Sequence, residues 1–448
     1  MKKYVYMFIF ATLALQANSH ENIMHQIDQL LVQERFDQAL EYIDKYIALG
    51  GSQIINAHFQ RGCIYLKIGR LDEAIKEFDT VIARAPGTIP AHYNKAFTLK
   101  IAERFEEALI IYQDLINKDP NYESARIGLS FALITQGDFK DGWPAHEWYL
   151  KRAGKYAPEL RNLLATNSVA GKTILLTPEG GLGDTLQFIR YAERLKNMGA
   201  TTIVFAQEQL IPLLSNCSYI DMLYPTGNPI PPHHARATLM SLPAVFYDDE
   251  HTMPRTIPYI FPDTTLINYW QQQLANDHNF KIGICWQTSI HNDISRLPIA
   301  RRGIPLAQFF KLKDIPGISW YSLQQVEGLE QLTQVPHDFN LHIFPNDFDT
   351  THGSFMDTAA VITQLDLIIS VDTATAHLAG ALGKPVWLLL PFSTDWRWIA
   401  GRIDSPWYPT MCIFKQPIPF DWDSVLNNIQ QVLGRLIINI SPIVPICS

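Results

Sequence analysis

The chain has 448 residues, of which 47% are hydrophobic and 18% charged, a composition typical of a globular protein rather than a disordered or membrane-embedded one. This length exceeds what one hydrophobic core usually supports, so two or three domains are expected. The net charge of −8 argues against nucleic acid as the main partner, because no basic stripe is present to neutralise phosphates. The five cysteines lie far apart without a Cys-x-x-Cys pair, so neither a disulfide framework nor a zinc site is expected.

The first twenty residues have the layout of a secretory signal. Two lysines at positions 2 and 3 precede an apolar run over residues 4–15, and small or polar residues follow at 17–19. This run is too short to span a membrane comfortably. Two interpretations stay open: residues 1–20 are an export signal or membrane anchor, or they form an apolar helix that packs on the next one.

A helical pattern repeats every 34 residues in the part of the chain predicted to be a repeat domain, residues 21–160. GRLDEAIKEFDTVIARAP (69–86) realigns on ERFEEALIIYQDLINKDP (103–120). The matched pairs are Ala74 with Ala108, Phe78 with Tyr112, and Pro86 with Pro120. An earlier copy contains Ala39, and a degenerate fourth copy begins at Gly137.

This pattern resembles the tetratricopeptide repeat. The small residue lets two helices approach, the aromatic ring fills the next groove, and the proline ends the second helix. An array of such helix pairs presents a concave surface, which we expect to bind a peptide, protein or glycan acceptor, or a partner protein.

After residue 165, short buried strands alternate with amphipathic helical segments. The predicted strands are KTILLT, TTIVFA, KIGICW, ISWYSL, LDLIISV and KPVWLLLP. This alternation predicts parallel sheets with helices on both faces. A proline-rich stretch at 225–263 separates the first strands from those that open at Lys281, so we expect two Rossmann-like lobes, at 165–263 and 275–435. Ligands of such sheets bind beyond the carboxyl ends of the strands.

The stretch TPEGGLGDTLQFIRYAERL is the first strand-to-helix turn of the first lobe. It lacks the G-x-G-x-x-G spacing of a dinucleotide fingerprint and the Gly-Lys-Ser/Thr of a P-loop. Its glycines, Gly180, Gly181 and Gly183, allow tight backbone geometry and close approach of a ligand on the acceptor side. Asp184 has two interpretations: it caps a helix predicted over 185–197, or it presents a carboxylate at the cleft that accepts a proton from an acceptor hydroxyl.

The stretch LDLIISVDTATAHLAGALGKPVWLLLP predicts a strand, a short helix of small residues and a second strand in the second lobe. The start of this helix directs free backbone N–H groups at the cleft, which predicts a diphosphate site. The residues assigned to donor binding here are Asp372, Thr373, Ala374, Thr375 and His377. In this interpretation Asp372 accepts hydrogen bonds from sugar hydroxyls. The alternative is that Asp372 caps the helix and His377 packs internally.

Two further segments combine arginines with polar or aromatic residues. WQTSIHNDISRLPIARRGIPL follows a predicted strand and contains Gln287, Thr288, His291, Asp293, Arg296, Arg301 and Arg302. Arginines at a strand's carboxyl end suit phosphate oxygens, so Arg302 and Gln287 are added to the donor site; the alternative is a solvated loop. PFSTDWRWIAGRIDSPWYPTM (391–411) places aromatics around Asp395, Arg397 and Arg402, either to cover a base or sugar ring or to tie the helix to the sheet.

These residues carry a resemblance to a known family. SVDTATAHLAGALGKPVW resembles the donor-site signature of glycosyltransferase family 9, which includes ADP-heptose:lipopolysaccharide heptosyltransferases, and GLGDTLQF resembles that family's glycine–aspartate loop. With the repeats, HNDISR, RRGIPL and DWRW, the chain is similar to bacterial tetratricopeptide-repeat glycosyltransferase-like proteins over about residues 30–433. The repeats are additional to the heptosyltransferases, and fewer strands are predicted in the first lobe than that family has.

The resemblance implies a GT-B fold with the donor in the second lobe, the acceptor toward the first, and no metal or other cofactor. It implies that Asp184 is the catalytic base and that Asp372, Thr373 and His377 bind the donor. We therefore expect an inverting, metal-independent transfer of a sugar from a nucleotide-diphosphate-sugar to an acceptor hydroxyl. The alternative is a catalytically silent scaffold for protein–protein interaction.

A Rossmann oxidoreductase is disfavoured, because the dinucleotide fingerprint and its ribose-binding acid are missing. A cytoplasmic location is expected because nucleotide sugars are cytosolic. Export or membrane anchoring through residues 4–15 is the alternative.

Overall fold

The chain divides into two compact units, residues 1–133 and 134–448, in the computed structural model. The structure describes residues 23, 25–50, 53–289 and 297–439. The predicted signal or anchor in residues 1–20 lies outside the described residues and stays a prediction. None of the helices in the described ranges is both long and apolar enough to cross a bilayer.

The first unit is an array of helices that contact their neighbours in chain order. Helical residues 25–32 come first. The helices that follow are α1 (Phe36–Ala48), α2 (Ile54–Lys67), α3 (Leu71–Arg84), α4 (Ile89–Ile101), α5 (Phe105–Lys118) and α6 (Glu123–Thr135). The predicted small and aromatic repeat positions are all fully buried, namely Ala39, Ala74, Ala108, Phe78 and Tyr112. The helix pairs therefore pack through the residues that define the repeat.

Local sequence explains where these helices begin and end. The first turns of α3 and α5 carry acidic residues and the last turns carry basic ones, which complements the helix dipole. These residues are Asp72, Glu73 and Arg84 in α3, and Glu106, Glu107 and Lys118 in α5. Pro86 and Pro120 follow two residues after the helices end, because proline cannot continue a helix.

The second unit begins with two helices and continues into two parallel sheets. The helices are α7 (Phe139–Arg152) and α8 (Pro158–Ala165). Both begin before residue 165, and the sequence assigned α7 to the repeat domain, which was predicted to reach residue 160. In the structure the boundary between compact units falls earlier, after Leu133, so α7 belongs with the sheets.

The first lobe has a four-stranded parallel sheet with the order β3-β2-β1-β4. Its strands are β1 (Thr173–Thr177), β2 (Thr201–Ala206), β3 (Met222–Pro225) and β4 (Ala235–Thr238). Its helices are α9 (Leu182–Phe188), α10 (Arg190–Asn197), α11 (Ile211–Leu214) and α12 (Leu242–Phe246). The predicted helix over 185–197 thus begins earlier, at Leu182, and is interrupted at Ile189.

The second lobe has a six-stranded parallel sheet with the order β10-β9-β8-β5-β6-β7. Helix α13 (Thr264–Gln273) precedes it. Its strands are β5 (Phe280–Cys285), β6 (Ile318–Ser322), β7 (Leu341–His342), β8 (Leu367–Val371), β9 (Val386–Leu390) and β10 (Met411–Lys415). Its helices are α14 (Met356–Gln364), α15 (Ala374–Ala381) and α16 (Trp422–Asn439).

The six predicted strands are all present, and the structure adds four further strands, two in each sheet. Strand β4 lies inside the proline-rich stretch 225–263 that separates the two predicted lobes. The four strands that were not predicted, β3, β4, β7 and β10, are the edge strands of the two sheets. An edge strand pairs on one side only and needs no long apolar run, so it carries a weaker sequence signal. In β4, for example, Arg236 is exposed between two buried alanines.

One large hydrophobic core joins α7, the first sheet and the α15 side of the second sheet, while a second core lies beneath α16. Cys63, Cys217 and Cys285 have free thiols. Cys412 is disulfide-bonded, a bond that the cysteine spacing did not predict.

Candidate active site

The candidate site lies where the strand order of each sheet reverses. In the first sheet the reversal is at β1, which lies between β2 and β4, and in the second it is between β5 and β8. Such switch points open a crevice at the carboxyl ends of the strands, and ligands bind there. Helix α9 follows β1 and helix α15 follows β8, and these two helices pack against each other.

Gly183 is the point of closest approach between the two loops. A Cβ atom at this position would lie 2.9 Å from Cδ2 of His377 and 3.5 Å from the backbone nitrogen of Ala374. The absence of a side chain therefore lets the backbone of α9 rest on the first turn of α15. The two motifs, which come from different lobes, form one site.

Asp184 is the third residue of α9, and both its carboxylate oxygens have partners. Oδ2 accepts the backbone N–H of the N-cap residue Gly181 at 2.7 Å, and Oδ1 accepts Nη2 of Arg397 at 2.7 Å. Gly180 has a φ of +78°, and a Cβ there would collide with Oδ2, so the turn needs glycine. The capping bond of one interpretation is present, and the same carboxylate also contacts the second lobe through Arg397.

Arg397, the ion-pair partner of Asp184, was not among the predicted site residues. It lies in the turn after β9 with 7% of its side chain exposed, and its Nε is 3.3 Å from Oδ1 of Asp395. The rings of Phe188 and Trp396 lie 5.8 and 5.7 Å from its guanidinium carbon. Burial alone would lower the pKa of Arg397, but the surrounding carboxylates outweigh burial and raise it, so the guanidinium stays charged. These carboxylates belong to Asp395, Asp184 and Asp372.

Asp372 follows β8 and is 3% exposed. Its Oδ2 accepts Nη1 of Arg302 at 3.4 Å, and its Oδ1 lies 3.5 Å from Nε2 of His377. Within the described residues Oδ1 makes no hydrogen bond. Burial would raise the pKa of Asp372, but His377, Arg302 and Arg397 hold it well below its usual range. The N-cap of α15 is Thr373, so Asp372 does not cap the helix.

His377 is buried behind Asp372. Its Nδ1 is 2.9 Å from the hydroxyl of Tyr408, and its ring stacks on Trp398 with centroids 5.5 Å apart. Burial lowers the pKa of His377, so the ring is neutral at neutral pH. A neutral imidazole carries one proton, and a carboxylate only accepts, so we assign the proton to Nε2, facing Asp372. Nδ1 then accepts the proton of the Tyr408 hydroxyl.

The other predicted donor residues of α15 line its start. The hydroxyl of Thr373 is 3.1 Å from the Ser370 hydroxyl, facing the strand ends, and Thr375 is buried. Ala374 lies against Gly183. The N–H groups of Ala374 and Thr375 belong to the first turn and therefore have no carbonyl partner inside the helix.

The loop after β5 brings Arg302 to the site through a polar scaffold. Nη2 of Arg302 donates to the Thr288 hydroxyl at 3.0 Å. Gln324, which follows β6, accepts the backbone N–H of Gln287 at 2.9 Å and donates to its carbonyl at 3.0 Å. The side chain of Gln287 itself packs close to Gly303. The predicted contributors His291, Asp293 and Arg296 lie outside the described residues.

Gln324 was missed by the sequence analysis, although a glutamine directly after a buried strand was a usable signal. Arg397 and Tyr408 lie in the segment 391–411, which combines aromatic residues with arginines in the sequence. Their pairing with Asp184 and His377 was not predictable, because no local pattern encodes contacts across 213 and 31 positions.

A second ionisable cluster lies beside the loop after β1. Nζ of Lys155 is 2.5 Å from Oε1 of Glu179, and His146 is a neighbour of both. Burial lowers the pKa of His146 to about 4, against a smaller opposing effect of Glu179. The imidazole is therefore neutral in the folded protein.

The free energy of unfolding is expected to fall as the pH drops from about 6.5 to about 4. Over this range His146 is protonated in the unfolded chain but not in the folded one. This one group contributes a slope of about 1 kcal/mol per pH unit. His146→Phe should flatten that slope in urea titrations followed by tryptophan fluorescence, which reports on the second unit because all ten tryptophans lie there. Identical slopes for the two proteins would show that His146 does not titrate as described.

Residues 55–88 match the family model of the tetratricopeptide repeat. The chain is 23% identical to protein FlbA of Caulobacter vibrioides over 399 residues, and the match covers 83% of this chain and 66% of FlbA. The chain thus spans just under two thirds of the length of this relative. Among solved structures it is similar to a glycosyl transferase family 9 protein from Veillonella parvula (TM-score 0.41, 13% identity, 58% of this chain and 91% of that chain). It is also similar to the E. coli ADP-heptose lps heptosyltransferase II (TM-score 0.40, 13% identity, 59% of this chain and 98% of that chain).

The repeat match and the buried repeat positions show that the first unit contains tetratricopeptide repeats. The second unit contributes two parallel sheets with helices between their strands. The predicted fold class, a helical repeat array followed by two Rossmann-like lobes, is confirmed.

Proposed function

We propose that this protein is a glycosyltransferase that moves a sugar from a nucleotide-diphosphate-sugar to an acceptor hydroxyl. One observation carries the proposal: Asp184 of the first lobe and Asp372 of the second are brought to one site by the packing of α9 on α15. Arg397 binds the first of these carboxylates and is close enough to the second to lower its pKa. The resemblance of both loops to glycosyltransferase family 9 supports the same assignment.

The donor is proposed to bind at the start of α15 in a GT-B arrangement. Its diphosphate accepts hydrogen bonds from the N–H groups of Ala374 and Thr375, where the helix dipole favours negative charge. Arg302 adds a positive charge on the β5 side. Oδ1 of Asp372 is buried, with Nε2 of His377 at 3.5 Å and no closer donor among the described residues, so it keeps a lone pair for a sugar hydroxyl.

In the reaction, the acceptor oxygen forms a bond to C1 of the sugar as its proton passes to Asp184. The bond between C1 and the diphosphate oxygen breaks, and its electron pair leaves with the diphosphate. Attack from the face opposite the leaving group inverts the configuration at C1. We propose that two guanidinium groups and the helix start stabilise the leaving charge, so that no metal is required.

The repeats are proposed to recruit the acceptor, which is a peptide, protein or glycan, or a partner protein. Tetratricopeptide repeats are stacked helix pairs, and such stacks expose an extended concave surface suited to this role. A cytoplasmic site of action follows from the nucleotide-sugar donor. Export or membrane anchoring through residues 4–15 is the alternative.

The test measures the Tm of the full chain alone and with UDP-, ADP-, GDP- or CMP-sugars. Unfolding is detected by tryptophan fluorescence. A ligand at a hundred times its Kd stabilises the protein by about 2.7 kcal/mol, which raises Tm by roughly 5–10 °C. We expect one nucleotide to shift the wild type and Asp423→Ala, a surface control, but not Asp372→Ala. A flat panel on the folded protein would contradict the donor site and favour the scaffold.

A further inference from the structure

We infer that Arg397 changes partner during the reaction: it holds Asp184 in the donor-free protein and moves to the diphosphate when the donor binds. The inference rests on the proposed function and adds an order to it. The base becomes available to the acceptor only after the donor has bound.

Arg397 is the partner of Asp184 that is able to leave. Gly181 holds the other carboxylate oxygen through its backbone N–H, which is part of the start of α9. Arg397 holds Oδ1 through a long side chain, which moves by rotation about single bonds. Each carboxylate oxygen accepts one of these two hydrogen bonds, and the departure of Arg397 leaves the lone pairs of Oδ1 open to an acceptor hydroxyl.

The charge balance of the site favours such an exchange. Among the groups described above, the carboxylates of Asp184, Asp372 and Asp395 outnumber the guanidinium groups of Arg302 and Arg397, and His377 is neutral. A diphosphate brings further negative charge, which a guanidinium turned toward it would offset.

Arg397 has hydrogen-bonding capacity left for that step. Its Nε is within ion-pair distance of Asp395 but makes no hydrogen bond among the described residues. A guanidinium offers five N–H donors in a planar fork that matches phosphate oxygens.

The distance to be crossed is short. Asp184 directly follows Gly183, whose backbone rests on the first turn of α15. The carboxylate that Arg397 now holds and the proposed diphosphate site are therefore neighbours.

The backbone around Arg397 is strained. Ile399, two residues further on, has a φ of +50°, which is unfavourable for a β-branched residue. The next residue is tied down by a hydrogen bond from the N–H of Ala400 to the carbonyl of Thr135 at 2.7 Å. Strain of this kind persists only where the surroundings enforce it, and it is common in segments that have a second arrangement.

The experiment measures binding of ADP, UDP and GDP, each beside its nucleoside, to the full chain by titration calorimetry. Wild type should bind one of the diphosphates. Arg397→Gln should weaken the binding of that diphosphate by about 10–100-fold. The binding of the matching nucleoside should not change, because only the phosphates lose a charged partner. Arg402→Gln, in the same segment but paired with Asp404 and Glu250, is the matched control and should bind as wild type does.

Asp184→Asn provides the sharper test, because it leaves the buried guanidinium in place. If Arg397 exchanges partners, removing the carboxylate that competes for it should tighten diphosphate binding by about 3–10-fold. The loss of repulsion from this carboxylate would by itself persist in the double variant Asp184→Asn/Arg397→Gln, whereas partner exchange predicts that the gain is lost there. Unchanged or weaker binding by Asp184→Asn, or unchanged binding by Arg397→Gln, overturns the inference while the proposed function stands. A wild type that binds none of the diphosphates overturns both.

Discussion

Replacement of Asp184 by asparagine is expected to lower turnover by about a hundredfold or more, the usual scale for a positioned general base. The amide oxygen of Asp184→Asn still accepts the N–H of Gly181, so the start of α9 is kept. The amide cannot take up a proton from the acceptor. Donor binding is not lost, since the proposed diphosphate contacts belong to α15 and the arginines, and the partner exchange of Arg397 predicts that it tightens.

The measurement is the initial rate of nucleoside diphosphate release from the donor found in the panel, with water as the acceptor until a better one is known. Glu179→Gln is the matched control, because it removes a carboxylate from the same loop, where Glu179 pairs with Lys155. Its rate should stay within about threefold of wild type. Full turnover by Asp184→Asn would mean that another group removes the proton.

Replacement of Arg190 by alanine is expected to have the largest effect on stability. Arg190 is 2% exposed and lies between the rings of Tyr259 and Tyr408, 4.3 and 4.6 Å from its guanidinium carbon. It donates hydrogen bonds to the carbonyls of Gln187, Pro254 and Trp407 and to the hydroxyl of Tyr259, at 2.6–2.8 Å. This single side chain thus joins α10 of the first lobe to the segment before β10 in the second.

Arg190→Ala leaves buried carbonyls without a donor, at about 1–3 kcal/mol each, and creates a cavity. We expect a loss of about 4 kcal/mol or more in the free energy of unfolding, and a Tm lower by roughly 10 °C. Thermal unfolding followed by tryptophan fluorescence measures this in the second unit. The control is Arg236→Ala at an exposed position of β4, expected within about 0.5 kcal/mol of wild type. A loss below about 1 kcal/mol for Arg190→Ala would show that the lobes are held together elsewhere.

The predictions from sequence succeeded where the signal was local. The repeat positions Ala74 and Phe78 are recognisable because the same residue types recur at a fixed period and are buried for the same reason. The six central strands are recognisable because both of their faces are buried and their sequences are continuously apolar. The edge strands escaped prediction because one side of each lacks a neighbouring strand, so the apolar signal is short or interrupted.

In the candidate site too, features with a local signal were predictable and long-range contacts were not. Asp184 and Asp372 were predicted individually because each follows a predicted strand, where the carboxyl ends of parallel strands present ligand-binding loops. The pairing of Asp184 with Arg397 joins residues 213 positions apart, and no local pattern encodes such a contact. The helix start was also misplaced, because the bond between Asp184 and Gly181 begins α9 earlier than the apolar periodicity does.

The sequence by itself determined the class of each segment and the identity of the polar residues at the strand ends, because both depend on local patterns of burial and backbone geometry. Only the tertiary structure decided which of these residues meet and which protonation states they hold. Asp372 stays ionised because His377, Arg302 and Arg397 are folded around it, and His377 stays neutral because it is buried. Charge and desolvation act through space, so they exist only once the two lobes have packed together.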